Sequence, residues 1–185
     1  MKVVVLGGGI IGLSSAYYLQ ASGHEVVVID KTDITNNCSY GNAGYVCPSH
    51  FIPLATPGIV KQGLKWMWNS RSPFYVQPRL NLNLINWGLK FMRAATPENV
   101  AKAAEPLRDI ALISQKMYEA LTLLPQFDFS YERKGLLEIF QTDAGAAHAA
   151  HTVHQAHELG LSDTILLNYE ELQALEPQTD RKSVV

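Results

Sequence analysis

The chain has 185 residues, 47% hydrophobic and 17% charged, with a formal net charge of −2. That length suits one domain or slightly more, with enough apolar content to bury a core, and the charge balance excludes bulk attraction to nucleic acid. No apolar run reaches the roughly 18 residues that a membrane-spanning helix needs. Charged residues fall short of the about 25% of an average globular protein, which points to surface covered by a cofactor, a partner or further polypeptide. Val3–Leu6 runs into glycines without a cleavage pattern, so it does not read as a signal peptide. Cys38 and Cys47 give neither a disulfide framework nor a metal spacing, and a reducing cytoplasm is the expected compartment.

Val3–Leu6 reads as a buried parallel strand, and Gly12–Ser22 as a helix stopped by Gly23. Val26–Ile29 reads as a second buried strand ending at Asp30, and strand, helix and strand in about 30 residues make a βαβ unit. Residues 31–58 are rich in Asn, Gly and Pro and read as loop. Aromatic helical patches are predicted at Lys61–Trp68 and Leu84–Arg93. A long helix is predicted after the Thr96-Pro97 cap, with Pro106 kinking or splitting it. Phe127–Tyr131 and Gly135–Phe140 read as a hairpin turning through Glu132-Arg133-Lys134. Asp143–Leu159 reads as a helix stopped by Gly160, and Thr164–Leu167 as a short strand. Asn168 and Glu171 have the spacing of a capping box opening a last helix, Tyr169–Leu175, which Pro177 ends.

Gly7-Gly8-Gly9-Ile10-Ile11-Gly12 is a G-x-G-x-x-G run. Alone that pattern is weak. Here it leaves a strand, opens a helix, and is followed by an acidic residue at the end of the next strand, 18 positions after Gly12. Gly7 permits the tight turn, Gly9 lets a pyrophosphate approach the backbone, and Gly12 lets helix and strand pack closely. The free N–H groups and positive end of the helix face the phosphates. Asp30 accepts from ribose hydroxyls and opposes a 2′-phosphate, so FAD or NAD is expected rather than NADP. The small, polar stretch Cys38-Ser39-Tyr40-Gly41-Asn42-Ala43-Gly44 can lie against a large planar ligand, which favours FAD.

The run Lys2–Asp30 followed by Ser39-x-x-Asn42-Ala43-Gly44 resembles the D-amino-acid oxidase superfamily of FAD enzymes, within it the D-amino-acid dehydrogenases. The likeness continues through Pro57-Gly58, Lys65-Trp66-Met67, Gly135-x-Leu137-x-x-Phe140 and Leu175-Glu176-Pro177. It implies an α/β fold: a Rossmann-like FAD-binding βαβ unit with part of an α+β substrate domain, incomplete relative to the family. Residues 1–58 would begin the FAD-binding domain, 59–177 would form a helical segment and partial substrate domain, and 178–185 would be a tail. The resemblance implies that Gly7, Gly8, Gly9, Ile10, Ile11 and Gly12 hold the pyrophosphate and Asp30 the ribose. Lys31 follows where Arg is frequent, keeping the charge without the planar fork. Ser39, Asn42, Ala43 and Gly44 would lie along the flavin.

The resemblance also implies oxidation of a D-amino acid to a 2-oxo acid and ammonia, with electrons passing to an acceptor other than oxygen, such as a membrane quinone. A glycine or sarcosine oxidase-like enzyme is one alternative. A truncated remnant that binds FAD or ADP without catalysis is another. Family members run to roughly twice this length, so no catalytic residue is assigned, the chain by itself is expected to be inactive, and a separately encoded C-terminal half or a homo-oligomer is an expected partner. Cys38 stands where Thr is common; a covalent flavin link is conceivable there, but a plain buried thiol is expected. His148, His151, His154 and His157 recur every third residue, which drifts around a 3.6-residue helix, so a solvated face is expected rather than a metal site. Trp66, Trp68 and Trp87 beside Lys61, Lys65 and Lys90 allow a peripheral membrane contact, with buried packing the expected reading. Tyr45 and His50 follow the flavin loop and are weaker candidates for the active site.

Overall fold

The computed structural model describes residues 1–59, 63 and 81–179. The aromatic patch expected at Lys61–Trp68 lies outside them apart from Gly63, as does the tail from residue 180. The chain divides into two compact units, residues 1–45 and 46–185.

The first unit is the expected βαβ. Strand β1 spans Lys2–Leu6, helix α1 Ile10–Ala21 and strand β2 Glu25–Ile29. The strands pair in parallel, with Val4 opposite Val27 and Leu6 opposite Ile29. Alternation decides what is covered. Val3, Val5, Val26 and Val28 are half-buried, while Val4, Leu6, Val27 and Ile29 point the other way and are 53, 80, 39 and 51% exposed. At the start of that second face Lys2 pairs with Glu25 at 3.1 Å. The helix ends at Gly23, which sits at φ +83°, a conformation that favours glycine. There the Gly23 N–H donates to the Gln20 carbonyl and the His24 N–H to the Leu19 carbonyl, the paired bonds of a Schellman stop.

Among its described residues the second unit carries the helices α2 (Leu82–Ala94), α3 (Pro97–Thr122), α4 (Asp143–Glu158) and α5 (Tyr169–Leu175). Each starts on a side-chain cap: Asn81, Thr96, Thr142 and Asn168 accept from N–H groups of their own first turns. Asn168 and Glu171 form the anticipated capping box, the Asn168 N–H donating to Glu171 Oε2 at 2.8 Å. Gly160, at φ +80°, closes α4 with a second Schellman stop, the Leu161 N–H donating to the Ala156 carbonyl. That bond delivers Leu161 into a small core with Phe51 and Ala156, flanked by Ile52, Ala104, Leu112 and Leu159. Arg108 of α3 reinforces it, donating Nη1–H to the Leu159 carbonyl at 2.6 Å. Full burial of a side chain such as Phe51 stabilises by about 1.5–3 kcal/mol.

Several expectations are corrected. Pro106 does not split α3, which runs unbroken through it. The proline lies on an exposed side of the helix, where the Lys102 carbonyl that loses its partner can turn to water. The hairpin over residues 127–140 does not form; the segment is irregular, with an isolated bridge at Phe140. Two of its aromatics pack on a helix. Tyr118 of α3 stacks on Tyr131 at 6.4 Å and meets Phe129 edge-on at 6.2 Å, while Arg133 pairs with Glu119 at 3.2 Å. Thr164–Leu167 is likewise no strand; among the described residues no segment completes a ladder with it. Among its described residues the second unit carries helices and one isolated bridge, at Phe140.

Candidate dinucleotide-binding site

The turn between β1 and α1 is built by its glycines. Gly7 leaves the strand at φ +104°, and its N–H donates to the Ile29 carbonyl at 2.8 Å, so the turn begins in register with β2. A Cβ on Gly12 would stand 1.9 Å from the Gly7 carbonyl oxygen, so only glycine lets the helix rise this close to the strand exit. A Cβ on Gly8 would collide with Ile34 at 2.3 Å, a constraint that the motif alone does not reveal. Gly9 is the N-cap of α1 and offers no side-chain cap, and no acidic side chain stands in the first turn. The early amides of a helix have no intrahelical acceptor, so the Ile10, Ile11 and Gly12 N–H groups must find partners elsewhere.

Asp30, at the end of β2, faces this turn. Its Oδ2 accepts from the Gly8 N–H at 2.6 Å, and its Oδ1 accepts from the Thr32 N–H at 2.9 Å and the Thr32 hydroxyl at 3.2 Å. The Gly8 hydrogen bond, followed by that of the Thr32 N–H, holds the Asp30 carboxyl below its ordinary value of 3.8. A carboxylate has about four lone-pair sites, which leaves capacity for ribose hydroxyls.

The loop after β2 reaches the same turn. Ser39 Oγ accepts from the Ile10 N–H at 2.9 Å and lies where a Cβ on Gly9 would meet it at 3.1 Å. Asn42 donates to the Ser39 carbonyl, and its Oδ1 accepts from the Gly44 N–H at 2.6 Å, with Gly44 at φ +71°. Gly7–Gly12, Asp30 and Ser39 are thus gathered around one helix N-terminus, with Asn42 and Gly44 tied on through Ser39. Lys31 and Ala43 are exposed, and the Lys31 backbone N–H joins those that lower the Asp30 carboxyl. The sequence reading passed over Asn37, which bonds to both Gly8 and Ser39. A loop asparagine gives no sign in sequence of which backbone group it will find.

Other candidates fall elsewhere. Cys38 is exposed, not the buried thiol expected, because its neighbours Asn37 and Ser39 are the ones turned inward. Burial, with Glu138 adding to it, pushes the Cys47 thiol up. His50 pairs with Glu138 at 3.3 Å, and Tyr45 is exposed. His148, His151, His154 and His157 are all exposed on α4, and no metal-binding group of His, Cys, Asp or Glu occurs among the described residues. Trp87 is not buried as expected; it is 55% exposed and stacks on Phe91 at 5.3 Å. No helix among the described residues is long and apolar enough to cross a membrane.

A glycine turn opening a helix, an acidic residue closing the next strand and a hydroxyl at the helix N-terminus define a dinucleotide-binding class of site. The family of FAD-dependent oxidoreductases known as DAO matches residues 2–185, and the chain belongs to it. It is similar to a D-amino acid dehydrogenase of Chromohalobacter salexigens, 33% identical over 98% of this chain and 43% of that protein. A D-amino acid dehydrogenase of Helicobacter pylori is 40% identical over 75% of this chain and 34% of that protein. One from Phenylobacterium zucineum is 34% identical over 90% and 39%. The chain therefore spans less than half the length of these relatives. No solved structure matches it.

Proposed function

We propose that this chain supplies the phosphate- and ribose-binding end of a Rossmann-like FAD site in an oxidoreductase that converts D-amino acids to 2-oxo acids and ammonia. The observation that carries this reading is the α1 N-terminus. It has first-turn amides without intrahelical acceptors and no acidic side chain within the first turn, and Gly7, Gly8, Gly9 and Gly12 keep the turn free of side chains. Family membership supports FAD as the dinucleotide, and the relatives' names support the substrate class.

Gly7–Gly12 hold the pyrophosphate, Asp30 holds the adenosine ribose, Lys31 adds positive charge nearby, and Ser39, Asn42, Ala43 and Gly44 run along the flavin. FAD, when bound, supplies the ring that accepts hydride from substrate. The chain's own residues fix where that ring lies. The uncovered apolar face of the β1–β2 sheet supports association with further polypeptide, either a separately encoded portion or another copy. The exposed Leu82, Ile85, Leu89 and Met92 of α2, beside Lys90 and Arg93, support peripheral membrane contact.

Calorimetric titration of the purified chain with FAD, NAD and NADP tests the cofactor reading. FAD is expected to bind tightest and NADP weakest, and Gly9→Val is expected to abolish FAD binding by displacing Ser39 and filling the phosphate position. A tighter NAD isotherm, or full FAD occupancy in the valine variant, would sink it.

A further inference from the structure

We propose that Asn37 is a positioning residue of the cofactor site, setting the Ser39 hydroxyl over the N-terminus of α1 by bridging the phosphate turn to the loop that follows β2; this rests on the FAD reading above. The half-buried Asn37 carboxamide uses both ends. Its Nδ2 donates to the Gly8 carbonyl at 3.3 Å and the Ile34 carbonyl at 2.9 Å, while its Oδ1 accepts from the Ser39 N–H at 2.9 Å. Rotating the amide by a half-turn would set its oxygen against two carbonyls and its NH2 against an N–H, so the partners fix the orientation.

The bridge matters because of what lies on either side of it. Gly8 is buried and its N–H is held by Asp30, so Asn37 grips the carbonyl of a residue whose preceding peptide is already fixed. Ile34, the second acceptor, is the side chain that packs into the space a Cβ on Gly8 would need. Holding Ser39 by its own N–H leaves the Ser39 hydroxyl free to reach the Ile10 N–H 29 residues away in sequence. The Asn42 and Gly44 bonds then continue from Ser39 toward the end of the loop. Asn37 touches neither the helix N-terminal amides nor any group assigned to the cofactor except through Gly8 and Ser39, so its effect passes through them.

The test is a double-mutant cycle on the purified chain with two readouts: FAD affinity by titration, and hydrogen exchange at the Ile10 amide without FAD. Asn37→Ala and Ser39→Ala are each expected to weaken FAD binding by about tenfold and to speed Ile10 exchange by about tenfold, the scale of one lost hydrogen bond. The double variant is expected to go no more than about twofold beyond the worse single one, because the two residues act in series. Asn37→Asp, equal in size and unable to donate to the two carbonyls, supplies the same comparison should the alanine variant not fold. Additive losses, or an Ile10 amide indifferent to Asn37, would overturn the bridge even if FAD binds tightly. A wild-type chain that takes up no FAD, with Ile10 exchange still coupled to Asn37, would instead fail the flavin reading and with it the cofactor role of Asn37.

Discussion

At Asp30 a single carboxylate fastens the glycine turn through Gly8, and on the proposed reading it also takes a ribose. Its carboxyl is held below 3.8 in the folded chain, so the charged form is the one the fold favours. The stabilisation this brings is fully present above that ordinary value and is lost as pH falls through the lower folded value. Asp30→Asn is expected to flatten the acid limb of a pH–stability curve and to weaken FAD binding at neutral pH. Circular dichroism melts across the acid range, paired with the titration, check both, and an unchanged acid limb would refute the assignment. The motif's residues were legible in the sequence because each serves a short-range need: Gly7 a positive φ, Gly12 a close approach, Asp30 the end of a strand. Gly8 and Asn37 were not legible as constraints. Their demands come from Ile34 and Ser39, partners that only the folded loop brings near.

At the scale of elements, helices read well and strands read unevenly. The four helices bounded within the described residues of the second unit begin on Asn or Thr caps, and α1 and α4 both stop at a glycine with positive φ. Those signals lie within a few residues of one another. A strand is defined by its neighbour, and in residues 127–140 Phe129 and Tyr131 meet Tyr118 of α3 while no hairpin ladder forms between them and 135–140. The helix-stop chemistry carries its own expectation. Gly160→Ala forces a Cβ into φ +80° at the residue that turns Leu161 into the core, and should cost about 1 kcal/mol. Chemical denaturation followed by the helical dichroism signal measures it. A variant as stable as the parent would mean that the Schellman stop does not set the position of Leu161.

At the scale of the whole molecule, the β1–β2 sheet is covered on one face by α1 and exposes Val4, Leu6, Val27 and Ile29 on the other. The relatives are more than twice as long. An apolar sheet face of this kind is a site of association. The purified chain should therefore bind a hydrophobic dye such as ANS and self-associate with rising concentration. The pair Leu6→Ser and Ile29→Ser should reduce both while leaving Val3, Val5, Val26 and Val28 packed under α1. Dye binding and sedimentation that ignore this pair would place the association surface elsewhere.

The first compact unit closes within residues 1–45, and the hydrogen bonds that tie loop to phosphate turn span 29 residues. Such short loops close quickly, and a chain made from its N-terminus presents them before the helices that follow. The order of synthesis thus places the contacts of the glycine turn, Asp30 and the Ser39 hydroxyl ahead of those of the second unit. All of them can be made before any residue of α2 has left the ribosome. On the proposed reading, a nucleotide arriving at that stage would meet these contacts already made and would steady the first unit while the protein after it is built.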